Sequence, residues 1–203
     1  SGYYSVPVKS SSMPVYVKAS GGAYRDPITE EVISASNGKT MTMSSVANFS
    51  EGTSQSIMLT PLSNMATGLA EYKIERGESA TNAVTSSVNT ISDMYGFDVN
   101  ETTPIDITKG GQSSNATDGH KYGALLTAYS SYAKDLIDRY PTEESKTLYT
   151  SMHLSDIQYR DIRSDGVLDG KEADANGVEL GMSFGQVDVN SELYTNVLSQ
   201  HVM

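Results

Sequence analysis

Short apolar runs separated by turn residues fill the first sixty positions of the chain, a pattern typical of β-strands. The dipeptide Asn37-Gly38 between two of these runs is a strong signal for a two-residue hairpin. Sixty residues bury too little apolar surface to be stable alone, so we expect these strands to rest on the remainder of the chain. We predict strands at 3–8, 15–19, 28–33, 40–43 and 57–59.

Beyond position 60 the apolar residues recur every three or four positions, which is the period of an amphipathic helix. Gly77, Gly96 and Pro141 supply end signals for three of these helices. Two stretches, 97–117 and 161–190, lack the period and are predicted as loops, the second being acidic and rich in glycine. We predict helices at 61–76, 79–95, 118–140, 142–152 and 191–202.

These two patterns together predict an α+β fold, in which a small N-terminal antiparallel β part packs on a larger C-terminal helical bundle. The division falls at Thr60-Pro61, where a cap-type residue precedes a proline suited to the first position of a helix. The β-rich part then covers residues 1–60, and the helical domain covers residues 61–203 with the acidic loop at 161–190.

The charge balance of the chain narrows the classes of partner. The sequence holds 25 acidic and 14 basic residues, which gives a formal net charge of -11. Binding to nucleic acid relies on clustered lysine and arginine, so we expect no nucleic-acid partner. No apolar run is long enough to span a bilayer, and we expect no membrane insertion by this chain.

The absence of cysteine excludes disulfides and thiolate zinc sites from the sequence. Serine, threonine and asparagine are abundant instead, a composition that resembles exported bacterial proteins. We therefore predict an extracytoplasmic chain, either secreted or anchored at the outer surface through a parent protein.

One acidic segment has the spacing of a calcium-binding loop. Asp161, Asp165, Asp169 and Glu172 fall at positions 1, 5, 9 and 12 of the EF-hand pattern, and the carbonyl of Val167 falls at position 7. Calcium prefers six to eight oxygen ligands, and a tight loop with glycine at its bend turns successive carboxylates inward. These five residues are the candidate ligands of a calcium ion.

The same segment departs from the pattern at one position. Position 3 normally carries Asp or Asn, but here it is Arg163, whose guanidinium cannot bind a cation. The alternative is an Asp/Gly turn, in which the aspartate side chains accept hydrogen bonds from their own backbone. The sequence leaves both interpretations open.

No catalytic motif accompanies this segment. The three histidines, His120, His153 and His201, share no metal-ligand spacing, and no Gly-x-Ser-x-Gly elbow is present. The chain also lacks tryptophan, the residue most typical of sugar-binding platforms. The sequence therefore favours a protein that is not an enzyme, without deciding the matter.

Six short stretches recur here in an order that is familiar from other proteins; they lie at 15–27, 59–66, 95–97, 104, 122–125 and 165–170. Together they resemble segments of large surface lipoproteins and adhesin-like modular proteins of Gram-negative bacteria. In such proteins Ig-like or carboxypeptidase-regulatory-like strands precede a helical domain, so residues 1–60 resemble the end of an Ig-like module. The resemblance implies an exported, modular parent protein with a binding or scaffold role, and it carries over no catalytic residues.

From these observations we expect a non-enzymatic binding or adhesion module, extracellular or at the cell surface, that is stabilised by calcium. Its expected partner is a protein or glycan at the cell surface. Two alternatives stay open: a secreted hydrolase domain that acts on polysaccharide or peptide, and a structural spacer of a multidomain adhesin.

Overall fold

The computed structural model describes residues 4–8, 13–34, 41–109, 116–174 and 176–190 together with Tyr194. Within this part the chain is a mixed α and β protein, with five α-helices and four small antiparallel sheets of two strands each. The Asn37-Gly38 turn and the last predicted helix, at 191–202, lie outside the described residues.

The N-terminal strands form two pairs. Strand β1 (Val15–Ser20) pairs with β4 (Thr42–Ala47), and β2 (Ala23–Arg25) pairs with β3 (Val32–Ser34). Strands β1, β3 and β4 overlap predicted strands, whereas β2 falls in a stretch for which no strand was predicted. The strands predicted at 3–8 and 57–59 are wrong for the described residues, where no regular strand forms. At the second site the backbone N–H of Met58 bonds instead to the carbonyl of Asn100.

The next two helices begin and end where the capping residues indicate. Helix α1 (Pro61–Glu75) has Thr60 as its N-cap, and the side chain of Ser63 accepts a hydrogen bond from the Thr60 N–H. Helix α2 (Ala80–Tyr95) begins after Ser79 and ends at Gly96, whose φ of 75° is left-handed. Glycine reaches that conformation without steric cost, which explains why the helix stops there.

The following three helices differ from the prediction in one respect. Helix α3 (Asp118–Arg139) matches it, but the single helix predicted at 142–152 is replaced by a one-turn α4 (Ser145–Leu148) and a separate α5 (Ser151–Asp165). The backbone turns at Thr150, whose side chain caps α5 by accepting from the N–H of His153. Helix α5 also continues to Asp165, because its apolar side extends to the buried Ile162.

The acidic segment predicted as a loop at 161–190 is therefore largely structured. After the last turn of α5 it forms two short hairpins, β5 (Lys171–Ala173) with β6 (Glu179–Gly181), and β7 (Ser183–Phe184) with β8 (Val187–Asp188). Phe184 is completely buried in a core cluster that contains residues of α3 and α5. The packing of this ring anchors the β7–β8 hairpin on the helices, and the local pattern of the sequence does not encode that contact.

Helix α1 lies at the centre of the molecule, in contact with α2, α5 and β4. Gly68 permits the close approach of α5, because a Cβ atom at this position would lie 2.7 Å from the carbonyl oxygen of Tyr159. Ten consecutive residues of α1, positions 61–70, are buried as a result. The described helices include none that is long and apolar enough to cross a membrane.

A buried polar seam joins β4 to the helices. The side-chain oxygen of Asn64 accepts from the backbone N–H of Ser44 at 3.0 Å and from its hydroxyl at 2.6 Å. Asn100 donates to the carbonyl of Val46 at 2.7 Å, and Ser63 donates to the carbonyl of Ser44 at 3.2 Å. Side chains thus occupy one edge of β4, and β1 occupies the other.

Candidate functional site

The predicted calcium ligands lie at the junction between α5 and β5, which we call the acidic junction (Asp161, Asp165, Asp169 and Glu172). Asp161 and Asp165 belong to the last helical turns of α5, whereas Asp169 and Glu172 follow in the connection and in β5. Positions 1 to 5 of the EF-hand pattern therefore lie in a helix in this structure and not in a loop.

Asp161 is completely buried at this junction. Its Oδ2 atom accepts hydrogen bonds from the backbone N–H of Gly170, at 2.9 Å, and from the hydroxyl of Tyr194. Its Oδ1 atom has no hydrogen-bond partner in the structure described here. One carboxylate thus ties the end of α5 to the start of β5 and to the C-terminal segment, and it keeps one oxygen uncompensated.

The surroundings of Asp161 disfavour its charged form. Burial raises the pKa of this carboxyl to about 6, and the nearby charges of Asp169 and Asp165 act in the same direction. The hydrogen bonds from Tyr194 and Gly170 favour the carboxylate and oppose this rise. A cation near Asp161 would offset both the burial and the repulsion, so the junction is electrostatically suited to a positive ligand.

The side chain of Asp165 serves the backbone turn that ends α5. Its Oδ1 accepts from the N–H of Val167 at 2.8 Å, and Gly166 between them has a φ of 87°. A Cβ at Gly166 would lie 2.6 Å from the ring of Tyr72, so glycine is required here by both conformation and space. Val167 itself is exposed. This local bonding is the Asp/Gly turn that the sequence left open as the alternative.

The other two carboxylates are engaged in ion pairs at the surface. Lys171 lies 3.1 Å from Asp169, and Arg160 forms a bidentate pair with Glu172. Exposed and partly exposed pairs of this kind contribute little to stability. They nonetheless compete with a metal ion for the same oxygen atoms.

Arg163, which departs from the calcium pattern, points away from the acidic junction. Its guanidinium reaches α1, where it pairs with Glu71 and Glu75 at 2.5 and 2.6 Å. Its charge therefore lies among carboxylates of a different element. In the part of the chain that the structure describes, no three histidine or carboxylate side chains converge closely enough to hold a metal ion.

Two of the three histidines are described, and both have local roles. His120 forms a 2.8 Å hydrogen bond with the hydroxyl of Thr117 at the start of α3. His153 bonds through Nδ1 to the carbonyl of Leu148, and its ring packs edge-on against Phe184 at 5.3 Å. Among the residues that the structure describes, neither ring forms a hydrogen bond with a serine or a carboxylate in the manner of a catalytic pair.

A shallow depression of about 400 Å³ lies at the C-terminal end of α2. Asp98 in its wall accepts from the backbone N–H groups of Asn100 and Glu101, both at 2.8 Å, and so shapes the loop that follows the helix. The depression is lined by Asn89, Ser92, Asp93, Gly96, Phe97 and Asp98.

Exposed apolar side chains are concentrated near the N-terminus. Of the twelve large hydrophobic residues that are exposed in the described structure, six fall within residues 4–32. Tyr16 on β1 is 46% exposed and Val32 on β3 is 62% exposed. We call these six the N-terminal apolar residues: Tyr4, Val6, Val8, Met13, Tyr16 and Val32.

Sequence reasoning missed three residues that bond to the acidic junction, namely Tyr194, Arg160 and Lys171. Tyr194 is 33 positions from Asp161 and lies in the stretch predicted as the last helix, so no spacing rule connects the two. Arg160 directly precedes Asp161, and Lys171 lies between Asp169 and Glu172, so their opposite charge was a signal that could have been used.

Comparison with known proteins provides no further constraint on this site, since no family model, no curated protein and no solved structure matches the chain.

Proposed function

We propose that this chain is a non-enzymatic binding or adhesion module of an extracellular or cell-surface protein, with a protein or glycan at the cell surface as its partner. The observation that carries the proposal is that six of the twelve exposed large hydrophobic residues of the described structure fall within residues 4–32. Exposed apolar side chains concentrated in one part of a chain are candidates for an interaction surface. In this proposal the β part is the recognition element, seated on the helical body.

Binding can be tested on a printed array of cell-surface glycans and extracellular-matrix proteins with the fluorescently labelled chain. We expect saturable retention on at least one probe, and we expect the double variant Tyr16→Ser with Val32→Ser to lose it. The matched control replaces two exposed apolar residues of the β5–β6 hairpin, Val178→Ser with Leu180→Ser. This variant should bind like the unmodified chain.

The same array separates the alternatives. Release of sugar or peptide fragments from a probe would contradict the proposal and identify a hydrolase. Absence of retention on every probe, with a correctly folded chain, would favour the structural spacer. Both readouts come from one incubation, so binding and cleavage are compared at equal protein concentration.

We further propose that calcium stabilises the module at the acidic junction. The support is electrostatic: Asp161 has an unpartnered oxygen and lies near two further carboxylates that raise its pKa. A cation bound there has to displace the ion pairs of Asp169 and Glu172 with Lys171 and Arg160. Calcium binding would therefore rearrange this segment and not simply fill a preformed cage.

Thermal unfolding of the chelator-treated chain, with and without calcium at fixed ionic strength, tests this point. A ligand that binds only the folded state adds about 2.7 kcal/mol at a hundredfold excess over Kd. We expect the gain to vanish in Asp165→Asn with Glu172→Gln and to persist in Glu143→Gln, a change at a highly exposed carboxylate. An unchanged Tm with both calcium and magnesium would leave the junction as a turn.

A further inference from the structure

Strand β1 has one edge that the described structure leaves unpaired. In the antiparallel pairing with β4, the N–H of Gly21 donates to the carbonyl of Met41, which fixes the alternation of the ladder. Because alternate residues face alternate edges, the backbone groups of Tyr16 and Lys18 point away from β4. They have no hydrogen-bond partner among the described residues.

The contrast with β4 makes this edge unusual. The outward groups of β4 are occupied by Asn64, Ser63 and Asn100, so that edge is closed to a further strand. The extensive contacts of β1, in comparison, are with β4 alone. An open edge of this kind is a template for an added strand, because its free N–H and C=O groups match those of another extended chain.

The charge of the surrounding sequence indicates what kind of strand fits. Positions 1–25 contain Lys9, Lys18 and Arg25 but no acidic residue, and all 25 carboxylate side chains of the protein come later, from Asp26 onward. The N-terminal segment is thus cationic on an otherwise strongly anionic chain. A strand that carries a carboxylate is therefore complementary to it.

We propose that the β1 edge binds an extended acidic peptide segment of a partner protein as an additional antiparallel strand. Tyr16 and Lys18 exchange backbone hydrogen bonds with it, and the Lys18 ammonium pairs with a carboxylate directly opposite. The residue opposite Tyr16 lies two positions further along the partner and is apolar. The recognised pattern is Glu-x-Val or a close equivalent, with x opposite Val17.

This inference rests on the proposed binding function and names the chemistry of one partner. A second copy of the chain is a poorer occupant of the same edge. Its own β1 offers no carboxylate, and the register that opposes Lys18 to itself places like charges together. Lysine on an edge strand is in fact a common device against such self-pairing.

The test uses the full chain and a synthetic probe, acetyl-Ser-Thr-Ile-Glu-Val-Val-Thr-Ser-amide, with hydrogen exchange followed amide by amide. We expect the peptide to slow exchange at the Tyr16 and Lys18 amides, while those of Val17 and Ala19, which already face β4, change little. Methylating the peptide nitrogen of the glutamate should abolish this protection. Methylating the nitrogen of the next residue, which faces away from β1, should leave it intact.

Charge reversal tests the proposed ion pair between Lys18 and the carboxylate of the peptide. A peptide with Lys in place of Glu should bind up to about fivefold more weakly, the range of an exposed ion pair, and Lys18→Glu should reverse this preference. Lys146→Glu makes the same charge change on α4 and should have no effect on either peptide.

Three outcomes would overturn the proposal. The first is a lack of protection at Tyr16 and Lys18 at millimolar peptide. The second is protection that is the same for both methylated peptides. The third is protection that grows with protein concentration in the absence of peptide, which would identify a second copy as the occupant. Retention on the array of surface probes is measured independently, so failure at this edge would leave the broader binding function standing.

Discussion

Helix α1 and strand β1 differ in how the rest of the molecule surrounds them. Ten consecutive residues of α1 are buried among α2, α5 and β4. None of the six residues of β1 is fully buried, and the strand is held along one edge only. The helical body therefore supplies most of the apolar burial that stabilises the fold, whereas β1 leaves side chains and one backbone edge exposed among the described residues. Under the proposed function, stability and recognition are assigned to different elements.

The largest expected effect comes from the apolar core of the body. Leu62 is completely buried in α1, and Leu62→Ala should lower the free energy of unfolding by about 3 kcal/mol through lost burial and the cavity left behind. Val32 is mostly exposed on β3, so Val32→Ala should change the free energy of unfolding by less than about 0.5 kcal/mol. Urea denaturation measures both. Comparable losses would contradict the division between body and β part.

A smaller effect is expected at the seam between the two regions. Asn64→Ala removes the acceptor of the buried Ser44 N–H and hydroxyl, and an unpaired buried group costs about 2 kcal/mol. The exposed Asn82→Ala on α2 is the matched control and should be nearly neutral. Faster hydrogen exchange at the Ser44 amide, without a comparable change in α3, would show that the loss is confined to the seam.

The third prediction concerns pH and the acidic junction. The pKa of Asp161 is about 6 in the folded protein against 3.8 for an unperturbed carboxyl, so the folded state binds this proton more tightly. The resulting contribution to stability is fully present below pH 3.8 and is lost as the pH rises through about 6. The unfolding free energy of the unmodified chain, relative to that of Asp161→Asn, should therefore fall as the pH rises from 3.8 through about 6.

The measurement is a series of urea denaturations from pH 3.5 to 7.5 on both proteins. Glu143→Gln is the control, because it changes a highly exposed carboxylate outside the acidic junction. A difference between the unmodified chain and Asp161→Asn that does not vary between pH 4 and pH 6 would show that the buried carboxyl does not titrate in this range.

Local patterns in the sequence determined much of the helical body. Ser79 and Gly96 mark the ends of α2, and the apolar period predicts α3 to within one residue, because caps and stripes act within a few residues of one another. The same kind of signal failed at Thr150, where a continuous apolar period predicted one helix but the chain forms two. It also failed at 57–59, where an apolar run forms no strand.

The acidic junction shows the limit of spacing as a guide to chemistry. The sequence grouped Asp161, Asp165, Asp169 and Glu172 by their spacing, but spacing cannot distinguish a metal loop from the end of a helix. That distinction depended on Ile162, whose burial continues α5, and on Arg163, which pairs with α1. Whether calcium binds here stays a prediction for the unfolding experiment.

By itself the sequence determined the mixed α and β class, the ends of α1, α2 and α3 to within one residue, and the separation of a cationic N-terminal segment from an acidic remainder. Each of these depends on residue type and short-range order. Tertiary structure decided the burial of Asp161, its bond to Tyr194 and which edge of β1 remains open. These features arise when elements distant in the chain pack together, because burial and hydrogen-bond partners are properties of the packed molecule and not of a local pattern.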